Sequence, residues 1–244
     1  MMAKYGLIGK DISYSFSKTF FSVKFDQENR ADTYHNFDID HIEEFSKIIS
    51  NTKDLKGLNV TIPYKESIIP FLDRIDKEAL EIGAVNTIKF QNDGSLKGYN
   101  TDHYGFAKSL ANFLPIEEKT ALILGTGGAS KAIKYVLETM GFQYKIVSRK
   151  KTENTITYQE LTREVLNNYF LIINCTPLGT FPNISQCPNI PYQYITDNHV
   201  LFDLIYNPSQ TEFLKLGKAQ GARTSNGLKM LEHQAKKAWK IWRS

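Results

Sequence analysis

An apolar run, Thr120-Ala121-Leu122-Ile123-Leu124, ends in Gly125-Thr126-Gly127-Gly128-Ala129-Ser130, and an amphipathic stretch follows as far as Met140. This order of strand, glycine-rich turn and helix constrains the fold more than any other segment. Gly125 permits a tight turn, and Gly127 lets the backbone approach an anion. The helix start beyond them presents N–H groups and a partial positive charge. Ser130 stands where a dinucleotide fingerprint prefers a third glycine, and its small side chain still allows close packing. Tyr144-Lys145-Ile146-Val147 reads as the next strand, which makes the segment a βαβ unit. Leu171-Ile172-Ile173 and Val200-Leu201-Phe202 are apolar on both faces, as central parallel strands are.

A glycine-rich turn can be only a turn, and the second strand decides between the two readings. A site for NAD usually carries an acidic residue there to bond the ribose hydroxyl. Here the strand ends in Ser148-Arg149-Lys150-Lys151, cations suited to a 2′-phosphate through charge-assisted hydrogen bonds. Arg149, with its planar fork, is the best placed, Lys150 and Lys151 are helpers, and NADP(H) is the expected cofactor.

The first hundred residues are also α/β in pattern. Strand-like runs fall at Tyr5–Ile8, Thr33–Phe37, Leu58–Ile62, Val85–Ile88 and Ser95–Tyr99, with helices expected over Ser17–Gln27, Ile42–Ile49 and Leu72–Ile82. Asp93-Gly94 predicts a hairpin turn with positive φ angles. A helix over Tyr104–Phe113 is the expected connection to the second domain, and Leu228–Trp242 is amphipathic. Thirty Lys and Arg against 26 Asp and Glu are spread along the chain, so no nucleic-acid-binding arm is expected. Cys175 and Cys187 exclude a disulfide framework and a cysteine-based zinc site, and the five histidines lack metal-ligand spacing. No apolar stretch approaches the roughly 18 residues of a membrane span. Met1 to Lys10 also lacks a signal-peptide core, so a cytoplasmic protein is expected.

Asn59-Val60-Thr61-Ile62-Pro63-Tyr64-Lys65, Gly83-Ala84-Val85-Asn86-Thr87 and Asn100-Thr101-Asp102 are each explicable alone, by strand preference, turn preference or capping. In order, and together with the glycine-rich turn, Asn174-Cys175-Thr176-Pro177-Leu178-Gly179, Asp203 to Pro208 and Asn226 to Gln234, they resemble the shikimate dehydrogenase family over nearly the whole chain. The resemblance implies reversible, NADPH-dependent reduction of 3-dehydroshikimate to shikimate in aromatic amino-acid biosynthesis. It implies an α/β protein with a substrate domain (1–102 plus 227–244) and a Rossmann-type NADP domain (103–226), a cleft between them and the C-terminal helix returning to the first. Ser15, Ser17, Thr61, Asn86, Tyr206 and Gln234 correspond to substrate-binding positions, the serines to those for the carboxylate, and Lys65 and Asp102 to the catalytic pair. Gly125, Thr126, Gly127, Gly128, Ala129, Ser148, Arg149, Lys150, Thr176, Leu204 and Gly227 correspond to the cofactor site, with no metal.

Those roles are chemically coherent. Hydride addition to a ketone builds negative charge on oxygen, which an ammonium at Lys65 would stabilise and protonate while Asp102 holds it in place. In the reverse direction neutral Lys65 would take the proton. The sequence departs from the family at Tyr14, where many members have histidine, at Asn226, where aspartate is usual, and in the loop after Pro177, extended at Phe181. His103 and Cys175 read as a surface residue and a packed thiol, and the Trp239–Trp242 tail as a face docked on a domain. Two alternatives remain: a quinate/shikimate dehydrogenase with broader substrate or NAD use, and a non-catalytic NADP- or metabolite-binding regulator. The chain is expected to act on a small molecule, as a monomer or homodimer.

Overall fold

The computed structural model describes residues 2–12, 15–115 and 118–244, so Tyr14 lies outside the described residues. Residues up to Tyr104, together with Gln234–Ser244, form one compact unit, and Gly105–His233 form a second. In the first unit the chain runs β1 (Lys4–Gly9), α1 (Phe16–Gln27), β2 (Thr33–Asp38), α2 (Phe45–Asn51), β3 (Leu55–Val60), β4 (Arg74–Ile75), α3 (Lys77–Ile82), β5 (Thr87–Phe90), β6 (Leu96–Tyr99) and the start of α4 (Asp102–Leu110). The sheet order is β2-β1-β3-β5-β6-β4. β1 is parallel to β2 and β3, whereas β5 is antiparallel to both β3 and β6.

Alternation along β1 explains how this sheet is covered on both faces. Tyr5 and Leu7 join an aromatic cluster with Phe21 and Phe25 of α1, one helical turn apart, while Ile8 joins the opposite core with Leu58, Val60 and Ile88. The helix expected over Leu72–Ile82 begins only at Lys77. The backbone before it is engaged by β6: the Asp73 N–H donates to the Leu96 carbonyl at 3.1 Å, and the Asp76 N–H donates to the Gly98 carbonyl at 2.8 Å. Backbone already paired to a strand cannot also close helical turns. In the β5–β6 hairpin only Gly94 adopts positive φ, at 82°, and Asp93 does not.

The second unit holds β7 (Thr120–Leu124), α5 (Gly128–Thr139), β8 (Gln143–Ser148), β9 (Thr155–Thr157), α6 (Arg163–Asn167), β10 (Leu171–Asn174), β11 (Val200–Asp203), α7 (Glu212–Ala219), β12 (Arg223–Ser225) and the start of α8 (Leu228–Arg243). Its sheet is parallel throughout, in the order β12-β11-β10-β7-β8-β9. That is the doubly wound dinucleotide-binding order, and the direction of winding reverses between β7 and β10. Ala121 and Ile123 of β7 face one core and Leu122 and Leu124 the other, so the central strands are buried on both sides.

The C-terminal residues of α8 belong to the first unit, where Ala235, Ala238, Trp239 and Trp242 complete the aromatic cluster. The Trp242 ring lies 4.9 Å from that of Tyr5, and its indole N–H donates to the Ile88 carbonyl at 2.9 Å. No helix among the described residues is long and apolar enough to cross a membrane. Gly57 on β3 leaves the space that the indole fills, since a Cβ there would lie 2.3 Å from Trp242 Nε1. Gly57→Ala is therefore expected to lower stability by about 1–3 kcal/mol, the usual cost of overpacking. Urea unfolding followed by tryptophan fluorescence checks this, and a wild-type midpoint would show that the indole moves aside at no cost.

Candidate active site

Lys65 lies in the turn that follows β3, and the residues around it fix its backbone. Tyr64 is buried and donates its hydroxyl to the Ile39 carbonyl at 2.7 Å, while the Lys65 carbonyl accepts the Val85 N–H at 2.7 Å. The Lys65 ammonium meets the Asp102 carboxylate at 2.7 Å, with side chains 13% and 2% exposed. Asp102 opens α4 without capping it. Asn100 does that instead, its side-chain oxygen accepting the N–H groups of Asp102 and His103 at 3.0 and 3.3 Å. The Asp102 carboxylate is thereby left to Lys65 and to Asn86.

Asn86, buried between β3 and β6, sets the geometry of this pair. Its carbonyl accepts the Thr101 N–H at 2.7 Å, the Thr87 hydroxyl at 3.0 Å and the Thr101 hydroxyl at 3.2 Å. With its oxygen so committed, its amide must point the other way, where it donates to Asp102 Oδ1 at 2.9 Å and to Gln234 Oε1 at 3.2 Å. Four of the expected residues, Lys65, Asn86, Asp102 and Gln234, thus share one network. Thr61 is half-buried at the end of β3, its N–H donating to the Ile8 carbonyl at 2.8 Å. Ser15 caps α1 by accepting the Lys18 N–H at 3.3 Å, and Ser17 lies in the first turn of that helix. His103 is half-buried, not on the surface as expected, and burial lowers its pKa.

In the second unit the glycine-rich turn leaves β7 at the reversal point. Gly125 has φ of 106°, a conformation that side chains rarely adopt, and its N–H donates to the Val147 carbonyl at 2.9 Å. Gly127 begins α5 with no side-chain cap, and a Cβ there would meet open space. An uncapped helix start beside an open backbone fits a pyrophosphate. Ser130 is buried and donates its hydroxyl to the Gly127 carbonyl at 2.6 Å. After β8, Arg149 and Lys150 are exposed, whereas Lys151 is ion-paired with Glu160.

The loops after β10 and β11 are tied by Asp203, which is fully buried with no cation against its carboxylate among the contacts of the described residues. Its oxygens accept Asn174 Nδ2 at 3.1 Å, the Ile205 N–H at 3.0 Å and the Thr211 hydroxyl at 2.5 Å. Asn174 in turn accepts both the N–H and the hydroxyl of Thr176, at 3.0 and 2.6 Å. Thr176, Leu204 and Tyr206, three of the expected residues, are thus carried on the segments this carboxylate organises. Gly227 packs against the Leu204 carbonyl, which would lie 2.0 Å from any Cβ. Asn226 accepts the Leu228 N–H and donates to the Ser209 carbonyl at 2.8 Å, a donation that an ionised aspartate could not make. Burial pushes up the pKa of Cys175, in keeping with a packed thiol. Among the described residues no group of His, Cys, Asp or Glu is placed to hold a metal ion.

Comparison with known proteins identifies the family. The family model "Shikimate dehydrogenase substrate binding domain" matches residues 7–88. Shikimate dehydrogenase (NADP(+)) of Methanosphaera stadtmanae is 38% identical, over 97% of this chain and 90% of its own. The chain belongs to the shikimate dehydrogenase family. Among solved structures, shikimate dehydrogenase 1 of Peptoclostridium difficile is similar with a TM-score of 0.86 and 40% identity, covering 99% of this chain and 92% of that one. The Thermus thermophilus shikimate 5-dehydrogenase in complex with NADP(H) and shikimate gives 0.87 at 28% identity, covering 99% and 93%.

Sequence reasoning missed Asn59, Thr87 and Thr101 as parts of the Asn86 network, and Asn174, Asp203 and Thr211 as a second one. Asn59 had a usable signal, since it precedes Thr61 by two residues in a strand and so shares its face. Asp203 gives this shikimate dehydrogenase family member a pH signature. Burial pushes its carboxyl from 3.8 up to about 6, the three donors opposing the shift. An acid raised on folding binds its proton more tightly in the folded state, so its contribution to stability is greatest below pH ~4 and falls as pH rises towards ~6. Comparing wild type with Asp203→Asn, the stability difference is expected to drop by on the order of 2–3 kcal/mol across that window, beyond a constant offset from altered hydrogen bonds. Chemical denaturation at a series of pH values measures the slope, and a flat difference would mean that Asp203 titrates normally.

Proposed function

We propose that this chain is an NADP-dependent shikimate dehydrogenase, an oxidoreductase acting on a CH–OH group, in which Lys65 and Asp102 form the catalytic pair. Bound NADPH supplies the hydride that reduces the ketone of 3-dehydroshikimate. The observation that carries the residue assignment is the 2.7 Å contact between Lys65 and a nearly inaccessible Asp102. Lys65 stabilises the charge that develops on the ketone oxygen and delivers its proton there; in the oxidative direction it removes the hydroxyl proton of shikimate. Asp102 holds the ammonium in place and does not itself exchange the proton. Asn86 and Gln234, oriented as donor and acceptor, bond the ring hydroxyls together with Thr61. Ser15 and Ser17 hold the carboxylate, and Tyr206 also reaches the substrate.

On the cofactor side, Gly125, Thr126, Gly127, Gly128 and Ala129 hold the pyrophosphate, Arg149 and Lys150 the 2′-phosphate, and Ser148, Thr176, Leu204 and Gly227 line the remainder. The uncapped start of α5 and the exposed cations beyond β8 support this reading. The enzyme serves aromatic amino-acid biosynthesis and works in the cytoplasm, in keeping with its two free cysteines.

Three measurements test it. The chain reduces NADP rapidly with shikimate as substrate, and turnover is slow when NAD replaces NADP or quinate replaces shikimate; comparable turnover with quinate and NAD would move it to a different specificity within the family. Lys65→Ala lowers kcat by roughly 10²–10⁴-fold, the range for general acid–base catalysis, with NADPH affinity unchanged. Arg149→Ala raises the KM for NADP by about ten- to a hundred-fold, and leaves that for NAD unaltered. Equal loss for both cofactors would remove the 2′-phosphate assignment.

A further inference from the structure

The residues that hold Lys65 and Asp102 do not end at Asn86. Asn59, on β3, lies opposite Thr87 of β5 in the sheet register. Its amide donates to the Thr87 hydroxyl at 3.1 Å and to the Asn86 backbone carbonyl at 3.3 Å. The amide orientation of Asn59 is settled by what meets its other end. Tyr34, on β2, is 5% exposed, and its phenol donates to Asn59 Oδ1 at 2.8 Å. Thr87, accepting from Asn59, turns its own proton to Asn86 Oδ1. Asn86 then presents its amide to Asp102, an acceptor only, which takes Lys65 on its other oxygen.

Every donor in this chain points the same way, from Tyr34 towards Asp102. One buried phenol is therefore linked to Lys65 through side chains alone. A stacked contact with Phe21, centroids 4.8 Å apart, holds the ring in place.

We propose that Tyr34 is a positioning residue for the reaction: by donating to Asn59 it braces the side chain that holds the Asn86 backbone carbonyl and the Thr87 hydroxyl, and so steadies Asn86 against Asp102 and Lys65. This rests on the functional reading above. Tyr34→Phe removes the donor and keeps the ring, so Asn59 Oδ1 is left buried without its phenolic donor and the Asn59 side chain is held from its amide end alone. The geometry of the catalytic pair then loosens without losing a member.

The test is a double-mutant cycle of Tyr34→Phe with Asn59→Ala. Tyr34→Phe is expected to lower kcat for shikimate oxidation roughly three- to ten-fold, with NADPH affinity unchanged. In the Asn59→Ala background it is expected to have no further effect on kcat, because its route is gone. Full additivity, or an unchanged kcat in a folded Tyr34→Phe protein, would overturn the proposal by leaving Tyr34 a purely structural residue. A readout independent of turnover separates this from failure of the functional reading. In ¹⁵N-resolved NMR spectra, with Asn86→Ala used to assign the signal, the Asn86 side-chain amide protons are protected from exchange in wild type. That protection is expected to fall in Tyr34→Phe. If wild type does not oxidise shikimate, the functional reading fails whatever the amide shows. If protection is unchanged by Tyr34→Phe, the relay fails whatever the turnover.

Discussion

Removing a carboxylate from water costs several kcal/mol unless every lone pair it presents is answered. Asp102 meets that condition through two different partners, the Lys65 ammonium on one oxygen and the Asn86 amide on the other. Much of the first unit is arranged around it. β3 delivers the turn that carries Lys65, β5 begins directly after Asn86, and β6 leads into the Asn100 cap that frees Asp102 from capping α4. A neutral partner alone would leave the charge uncompensated, and a lysine alone would leave one oxygen bare. The pair is held by a network whose oxygen and amide ends are fixed by geometry and leave no choice of rotamer.

Asp203 resolves the same problem differently, and the contrast shows what each site needs. It too is fully buried, yet its partners are an amide, a backbone N–H and a hydroxyl, with no cation among the described residues. Three neutral donors offset only part of the desolvation, and its carboxyl is accordingly pushed up to about 6. A lysine there would supply a proton where none is wanted. Neutral donors instead let one side chain tie the ends of β10 and β11 to the cap of α7, since Thr211 also accepts the Leu214 N–H. The two aspartates thus divide the work: one holds a lysine, the other holds loops.

What the sequence made legible follows from range. The parallel sheet, the glycine-rich turn and the amphipathic last helix are local patterns, and the strands over Thr120–Leu124, Leu171–Ile173 and Val200–Phe202 all lie where their apolar runs stand. The Lys65, Asn86 and Asp102 assignments came from ordered motifs, because no spacing along the chain places a lysine against an aspartate 37 residues away. The helix from Leu72 failed because its first turn is claimed by β6, a partner distant in sequence. Tyr34 and Asn59 were invisible as parts of the site for the same reason. A tyrosine in an edge strand looks like core until the asparagine across the sheet is known. Asn226 stands where aspartate is usual in the family, and its amide bonds the Ser209 carbonyl.

The cations after β8 show where charge counting alone misleads. Arg149-Lys150-Lys151 reads as three positive charges for one phosphate, but Lys151 is paired with Glu160. Lys151 and two bonds from Thr157 hold the Glu160 carboxyl down at about 2, so the glutamate stays ionised at any ordinary pH and cancels one charge of the three. Exposed pairs of this kind contribute little to stability and are screened within about 8–10 Å by salt. The long-range field of the loop is therefore weaker than its composition suggests. Discrimination for a 2′-phosphate has to come from short, directional contact, which favours the fork of an arginine over the point charge of a lysine. Glu160 also anchors the loop, accepting the Thr157 N–H at 2.8 Å and its hydroxyl at 3.0 Å. The charge given up at Lys151 thus goes into holding the segment that follows Arg149.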